Sequence, residues 1–204
     1  MQIRELNVPD SYEITPRQFA DERGVFLEWF RFDELEKVIG HRFDLRQSNT
    51  SVSRKGVLRG IHFADVPRGQ AKYVTAVSGA VLDFVVDLRV GSPTFGTWDS
   101  VLLDTVDRRA VYIAEGLGHA FVALTDEATV TYLVSDTYNP SVEHAIDPRD
   151  AQVALEFPAD LGELVISAKD LEAPSLADAL ASGLLPHFGA VSAYYRELNE
   201  EARA

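Results

Sequence analysis

Ala80-Val81-Leu82-Asp83-Phe84-Val85-Val86-Asp87-Leu88-Arg89-Val90 alternates with a period of two. Leu82, Phe84, Val86 and Leu88 fall on one face of an extended segment, and Asp83, Asp87 and Arg89 fall on the other with Val81 and Val85. The pattern predicts a strand with one core face and one face free for polar work. Gly91-Ser92-Pro93-Thr94-Phe95-Gly96 then breaks the chain, because glycine and proline punctuate strands, and a new strand is expected over about 97–104. Residues 109–113, 118–125 and 128–136 read as further strands. From about 45 to 136, short apolar-periodic runs alternate with turn signals, which is how a sandwich, barrel or jelly roll reads.

Helical signals are few and peripheral. Asp33-Glu34-Leu35-Glu36-Lys37-Val38-Ile39-Gly40 carries an N-cap residue type, apolar side chains at helical spacing and a closing glycine. Ser175 to Leu180, stopped by Gly183, reads as a second helix, and the tail from about Val191 to Ala204 as a third with an acidic, exposed face. The expected organisation is one domain over residues 1–204: a short N-terminal region, a β core over about 45–136, and a helical C-terminal appendage over about 174–204. No internal repeat or low-complexity linker divides it.

A chain of 204 residues with 46% hydrophobic content is long enough for one well-buried core. Nineteen basic against 32 acidic side chains give a net charge of −13, which argues against nucleic acid or an anionic membrane as a partner, since both need a basic face. A small anionic ligand remains open to cations gathered locally. The absence of cysteine removes disulfides, thiolate nucleophiles and cysteine-ligated zinc. Met1-Gln2-Ile3-Arg4-Glu5 lacks a basic segment followed by an apolar one, and no apolar run approaches the roughly 20 residues of a membrane span. A soluble, cytoplasmic chain is expected.

Cations do gather. Val57-Leu58-Arg59-Gly60-Ile61-His62 and Gln70-Ala71-Lys72-Tyr73 place an arginine, an imidazole and an ammonium within one strand-turn-strand of an otherwise acidic chain. This suggests an anionic ligand beside a proton-transfer group. On strict alternation Arg59 and Ile61 share one face of their strand while Leu58, Gly60 and His62 share the other, and Gly60 leaves room for a ligand to approach the backbone. A lone histidine of this kind is more often a hydrogen-bonded core residue. Beside Arg59 and Lys72, however, a neutral imidazole suits removal of a weakly acidic proton.

Gly116-Leu117-Gly118-His119-Ala120-Phe121 and Val130-Thr131-Tyr132-Leu133 add a second imidazole and a phenol. Tyr132 reads either as an interior aromatic or as an acid, since a phenol holds its proton at neutral pH and can deliver it. Histidine on one wall and tyrosine on the other would make a two-faced epimerisation device. Lys72 reads either as a snorkelling surface residue or, because its strand is largely apolar, as a fixed ammonium for an enolate oxygen. Arg23 and Arg59 are the best candidates for a diphosphate, whose oxygens match the guanidinium fork. A metal reading of His62 and His119 falls short of ligands, because His62 is followed by Phe63-Ala64-Asp65 where a metal-binding cupin needs His-x-His and a nearby glutamate.

Taken together the motifs resemble the dTDP-4-dehydrorhamnose 3,5-epimerase family, from Ile14-Thr15-Pro16 to Gly183-Leu184-Leu185-Pro186. Arg-Gly-Ile-His at 59–62, Gln-Ala-Lys-Tyr at 70–73, Gly-Ser-Pro-Thr-Phe-Gly at 91–96, Gly-His-Ala-Phe at 118–121, and Tyr-Asn-Pro followed by Glu143-His144 stand in the family's order. The resemblance implies a mainly β, cupin-type jelly roll with short peripheral helices, a homodimer, no cofactor and no metal, and a dTDP-4-keto-6-deoxyhexose substrate. It implies His62 as general base with Asp170 as its orienting carboxylate, Tyr132 as the opposing acid, and Lys72 at the C4 oxygen. His119 would hydrogen-bond the sugar or its phosphates, and Arg23, Arg59 and Lys169 would hold the anionic part. Gln47, Asn49, Glu28 and Glu143 would supply polar contacts, and Tyr138 would stack on thymine.

The same residues leave other readings open. Relatives that invert only C3 or only C5 serve secondary-metabolite deoxysugars. A nucleotide-sugar ketoisomerase, a sugar-nucleotide-binding module without activity, and a metal-dependent oxygenase are the remaining classes. The presence of both His119 and Tyr132 favours inversion at both carbons.

Overall fold

The computed structural model describes residues 1–202. Its elements in chain order are strands β1 (Gln2–Glu5), β2 (Ser11–Thr15), β3 (Gln18–Asp21) and β4 (Gly24–Leu27), helix α1 (Phe32–Ile39), and strands β5 (Gln47–Ser53), β6 (Val57–Ala64), β7 (Lys72–Ser78) and β8 (Ala80–Asp87). Strands β9 (Trp98–Asp104), β10 (Ala110–Ile113), β11 (Leu117–Ala123), β12 (Ala128–Val134), β13 (Glu143–Ala145) and β14 (Val165–Ile166) follow. Helices α2 (Ala168–Leu171), α3 (Leu176–Ala181) and α4 (Phe188–Glu201) complete the chain.

Two antiparallel sheets face each other, one in the order β1-β2-β10-β7-β12-β5 and the other β13-β6-β11-β8-β9, with β14 added in parallel to β6. This is the expected jelly-roll sandwich. The β core is wider than the 45–136 read from the sequence. The N-terminal region supplies β1 and β2, which join the first sheet through β10, with Ile14 opposite Ala110. The short β3–β4 hairpin stands apart from both sheets.

β8 has the expected core face, and the face that carries Asp83 and Asp87 is buried as well. Val81 and Val85 point between the sheets and pack in one core with Val74, Ala76, Phe121 and Val130. Phe84, Val86 and Leu88 point the other way, into a second core closed by Val153, Leu161, Leu176 and Leu185 of the C-terminal segments. Phe84 meets Trp98 and Phe157 edge to face at 5.6 and 5.5 Å. The C-terminal appendage therefore roofs the second sheet and fixes its position.

Asp87 and Arg89 serve this architecture. Arg89 is fully buried, binds Asp87 at 2.9 Å and Asp10 at 2.6 Å, and so ties the N-terminal loop to the Gly91–Gly96 turn, where Ser92 and Thr94 donate to Asp87 at 2.6 and 2.7 Å. Burial would raise the Asp87 carboxyl, but these donors outweigh it and hold it below the usual range. Of the polar residues on that face, Asp83 stands outside this cluster and meets His119 of β11 instead.

The helices begin and end near their expected positions. α1 closes at Gly40 in the left-handed conformation, with φ 84°. Arg31, not Asp33, is its N-cap; Asp33 lies in the first turn, where its charge meets the positive end of the helix dipole and the Arg31 guanidinium at 2.6 Å. Ser175 caps α3 through the Asp178 N–H. The tail helix begins three residues earlier than expected, and residues 203–204 of that expectation lie outside those described. Among the described residues no helix is long and apolar enough to cross a membrane.

Candidate active site

A cavity of about 260 Å³ opens between the sheets. From the first sheet it receives Gln47, Asn49 and Ser51 of β5, Lys72 of β7 and Tyr132 of β12; from the second, Arg59 and His62 of β6 and His119 and Phe121 of β11. Gln70, Tyr138 and Glu143 complete the lining. Cross-strand register explains the grouping. Tyr132 stands opposite Asn49 and Val74, and His62 opposite His119, so alternate residues from each strand reach the same space.

Strict alternation fails at one point, and the failure matters. Along β11 the step from His119 to Phe121 is two residues, whereas their partners on β6, His62 and Arg59, are three apart. The extra residue makes a bulge that turns Arg59 and His62 onto the same face, where alternation alone had separated them. Gly60 is required there. Its φ is +119°, and a Cβ at this position would lie 2.5 Å from the His119 carbonyl oxygen and 2.6 Å from the Ala120 Cβ.

His62 is 39% exposed at its side chain, and its Nε2 lies 2.7 Å from Oδ1 of buried Asp170. Asp170 sits in α2, whose N-cap Ser167 accepts from the Asp170 N–H. Burial would raise this carboxyl, but His62, Ser167 and the Gly60 N–H favour its anion and hold it below the usual range. An ionised Asp170 accepts the Nε2 proton of a neutral ring and leaves the lone pair on Nδ1. That is the form a base needs.

On the opposite sheet Tyr132 is half-buried, and burial raises its phenol above 10, with Glu143 adding to the effect and Arg59 opposing it. It keeps its proton at neutral pH. Burial lowers the Lys72 ammonium, against the pull of Glu143 and Asp83. His119 is buried, with Nε2 2.8 Å from Oδ2 of Asp83. Arg59 is exposed and hydrogen-bonds through Nε to Ser53 Oγ at 3.2 Å, so its charge is held at the cavity.

At the mouth, Gln47 accepts from the Tyr138 N–H at 3.1 Å and donates to Asn49 at 2.6 Å, and Glu143 accepts from the Asn139 N–H at 3.2 Å. The Tyr138 ring is 57% exposed there, a flat face with no need to unpack before it meets a ligand.

The fold brings together His62, Asp170, Lys72, Tyr132, Arg59, His119, Gln47, Asn49, Tyr138 and Glu143. Three expected residues stand elsewhere in the chain's own structure. Arg23 lies at the turn of the β3–β4 hairpin and pairs with Asp21 at 2.5 Å; Glu28 follows that hairpin and faces Arg31 at 3.5 Å. Lys169 is exposed on α2 beside Asp170 and does not line the cavity. Ser51, Gln70 and Phe121 line it without having been singled out, although Gln70 and Phe121 belong to the motifs at 70–73 and 118–121. A wider groove of about 1080 Å³ lies against α1 and the end of α4; its polar lining is Asp33, Glu36, His41, Arg42, Asp44 and Glu201, and none of the site residues singled out from the sequence lies in it.

Comparison with known proteins identifies the family. The profile of the dTDP-4-dehydrorhamnose 3,5-epimerase family matches residues 5–178. A dTDP-4-dehydrorhamnose 3,5-epimerase of Mycolicibacterium smegmatis is 54% identical over 198 residues, which cover 97% of either chain. A dTDP-4-dehydrorhamnose 3-epimerase of Streptomyces niveus is 52% identical, covering 95% of this chain and 92% of its own. The solved structure of the Mycobacterium tuberculosis rmlC epimerase superposes with a TM-score of 0.95 at 51% identity, covering 97% of this chain and all of that one. The chain belongs to the dTDP-4-dehydrorhamnose 3,5-epimerase family of isomerases.

Proposed function

We propose that the chain epimerises a dTDP-4-keto-6-deoxyhexose at C3 and C5 without a cofactor. The observation that carries this reading is an imidazole hydrogen-bonded to a carboxyl and a phenol on opposite walls of one cavity: His62 of the second sheet, paired with Asp170 of α2, and Tyr132 of the first sheet. The C4 ketone acidifies the hydrogens at C3 and C5. Nδ1 of His62 takes one of them, the C–H electrons move onto the C4 oxygen as an enolate, and Lys72 stabilises that oxygen. Tyr132 then delivers its proton to the other face of the carbon. Solvent restores the tyrosine proton and receives the one held by His62. The ketone is itself the electron sink, so no redox partner is needed.

In this reading Arg59 and Lys169 hold the diphosphate, Gln47, Asn49, Glu143 and His119 make polar contacts, and Tyr138 stacks on thymine. Support for the ligand class comes from a relative's structure: a 3′-monoepimerase of Streptomyces bikiniensis, solved with dTDP-quinovose, superposes with a TM-score of 0.92 at 43% identity. Arg23 and Glu28 enter the scheme only if a second copy of the chain contributes them. The exposed Phe19, Val25 and Phe26 on the same hairpin support such a homodimer, because apolar side chains of that size favour a covered surface. A cytoplasmic location is part of the same proposal, and the absence of cysteine is compatible with it.

Inversion at a single carbon is the second reading, favoured by the 52% identity to a relative named as a 3-epimerase. Incubation with dTDP-4-keto-6-deoxyglucose in deuterated buffer separates the two by NMR. Deuterium at both carbons is the expected result, deuterium at one selects the second reading, and none at either overturns both.

A further inference from the structure

The cavity is lined by two histidines, each backed by a buried carboxyl at nearly the same distance. His62 and His119 are register partners on adjacent strands, and each meets its carboxyl through Nε2, at 2.7 and 2.8 Å. Two imidazoles so alike raise the question of why only one should act as base. We infer that the proton shared by Asp83 and His119 belongs to Asp83, so that His119 turns a protonated Nδ1 toward the cavity as a hydrogen-bond donor, while ionised Asp170 leaves His62 the bare Nδ1 of a base.

The surroundings of the carboxyls differ. Asp170 has donors besides the imidazole, in Ser167 and the Gly60 N–H, and its histidine is open to the cavity. Asp83 is fully buried in the centre of β8. Its Oδ2 meets His119, and its Oδ1 has no hydrogen-bond partner among the described residues. A sealed carboxylate with one donor for two charged oxygens is costly, because burial removes the water that would otherwise solvate the anion. A neutral carboxyl suits the site better. Its O–H donates to Nε2, and the orphaned Oδ1 is then a carbonyl-type oxygen, far cheaper to leave unpaired than half of an anion.

The charged and titratable groups that act on the pair are Lys72, on both members, and His62, on His119; Glu143 lines the same cavity and acts on Lys72. Lys72 favours an ionised Asp83, but it makes no ion pair with it within 4 Å among the described residues. Burial is the larger effect and raises Asp83, while burial of His119, with Lys72 and His62 nearby, disfavours an imidazolium. A neutral ring that accepts at Nε2 must carry its proton on Nδ1. His119 Nδ1 has no hydrogen-bond partner within the described residues, and the residue lines the cavity.

Asp83 is thus a positioning residue, which sets the tautomer of a neighbour without touching the ligand. The inference rests on the epimerase reading for its use: the His119 Nδ1–H and the Lys72 ammonium become two donors for the oxygen of the enolate, and His119 cannot compete with His62 for the carbon-bound proton. A carboxylic acid kept neutral in an apolar site is an established device for fixing a donor.

The test needs neither substrate nor variant. In uniformly labelled, ligand-free protein, the ring nitrogens of His119 are assigned by through-bond correlation to its own backbone and followed by ¹⁵N NMR across neutral pH, together with the Asp83 carboxyl carbon. The expected result is Nδ1 in the protonated range, Nε2 in the unprotonated range, and Asp83 in the range of a neutral acid. A ring protonated on Nε2 alone or on both nitrogens, or a carboxylate resonance for Asp83, overturns the inference. Those outcomes leave the epimerase reading standing, since deuterium exchange at C3 and C5 decides that independently.

Discussion

Asp170→Asn replaces the His62 partner by a group of the same shape without its charge. In the parent, the carboxylate accepts the Nε2 proton at 2.7 Å and leaves Nδ1 free. With the amide nitrogen toward His62, the N–H donates to Nε2 and the proton moves to Nδ1, which removes the base. With the amide oxygen toward His62, the nitrogen is set against donors that favoured the anion, the Gly60 N–H and Ser167. The variant loses a charge-assisted hydrogen bond worth about 1.5–3 kcal/mol and leaves a buried donor unpaired at a cost of about 1–3 kcal/mol. Together these are about 2.5–6 kcal/mol, or roughly 10²–10⁴-fold in rate at about 1.4 kcal/mol per decade.

The assay is turnover of dTDP-4-keto-6-deoxyglucose, with binding of dTDP as a control expected to be unchanged. The pH dependence supplies a second readout. Because the folded state holds the Asp170 carboxyl below its usual range, the pair contributes stability above that range, and this is lost as pH falls through the depressed value. In Asp170→Asn that acid-side loss should be absent from thermal unfolding profiles. Turnover within threefold of the parent, with an unchanged stability profile, would refute the assignment of Asp170.

Other expected outcomes concern the frame and the anion site. Gly60→Ala should destabilise the protein by about 2–5 kcal/mol, since it combines a positive φ with overpacking against His119 and Ala120; denaturant unfolding checks this, and parental stability would deny the bulge its role. dTDP alone should bind more weakly as salt rises and in Arg59→Ala, because the guanidinium is the exposed cation at the cavity; affinity indifferent to both would remove the diphosphate assignment. Tyr138→Ala should weaken the same binding by roughly 1–3 kcal/mol, read by calorimetry, if its exposed ring is a stacking platform.

What the sequence disclosed was decided by local physics. The Gly40 and Ser175 caps and the alternation through 80–90 are consequences of residues within a few positions of one another, and each reads correctly as an element. Properties set by distant partners were hidden. β1 and β2 enter the first sheet through β10, about a hundred residues away, and nothing within Gln2–Thr15 announces that pairing. The outer face of β8 is buried by segments from beyond residue 150, which the alternation within 80–90 does not disclose.

The site shows the same division. Arg59 and His62 were identifiable as chemistry, but their common face depends on a bulge whose only local trace is Gly60. Asp83 carried a faint signal, an acid flanked by Leu82 and Phe84, while its bond to His119 comes from the neighbouring strand. Arg23 and Glu28 read as ligand contacts, yet their hairpin lies away from the chain's own cavity, a placement that no local pattern reveals.

The central claim is a proton removed on one wall and returned from the other, and Tyr132→Phe tests it most directly. A phenyl ring has no proton to give, whereas His62 and Lys72 remain in place to form the enolate. Deuterium content and configuration at C3 and C5 are measured together by NMR in deuterated buffer with dTDP-4-keto-6-deoxyglucose. The account predicts deuterium uptake with little net inversion, because the enolate collapses back on the face of His62. Inverted product formed at the parental rate would contradict it and return Tyr132 to the role of an interior aromatic.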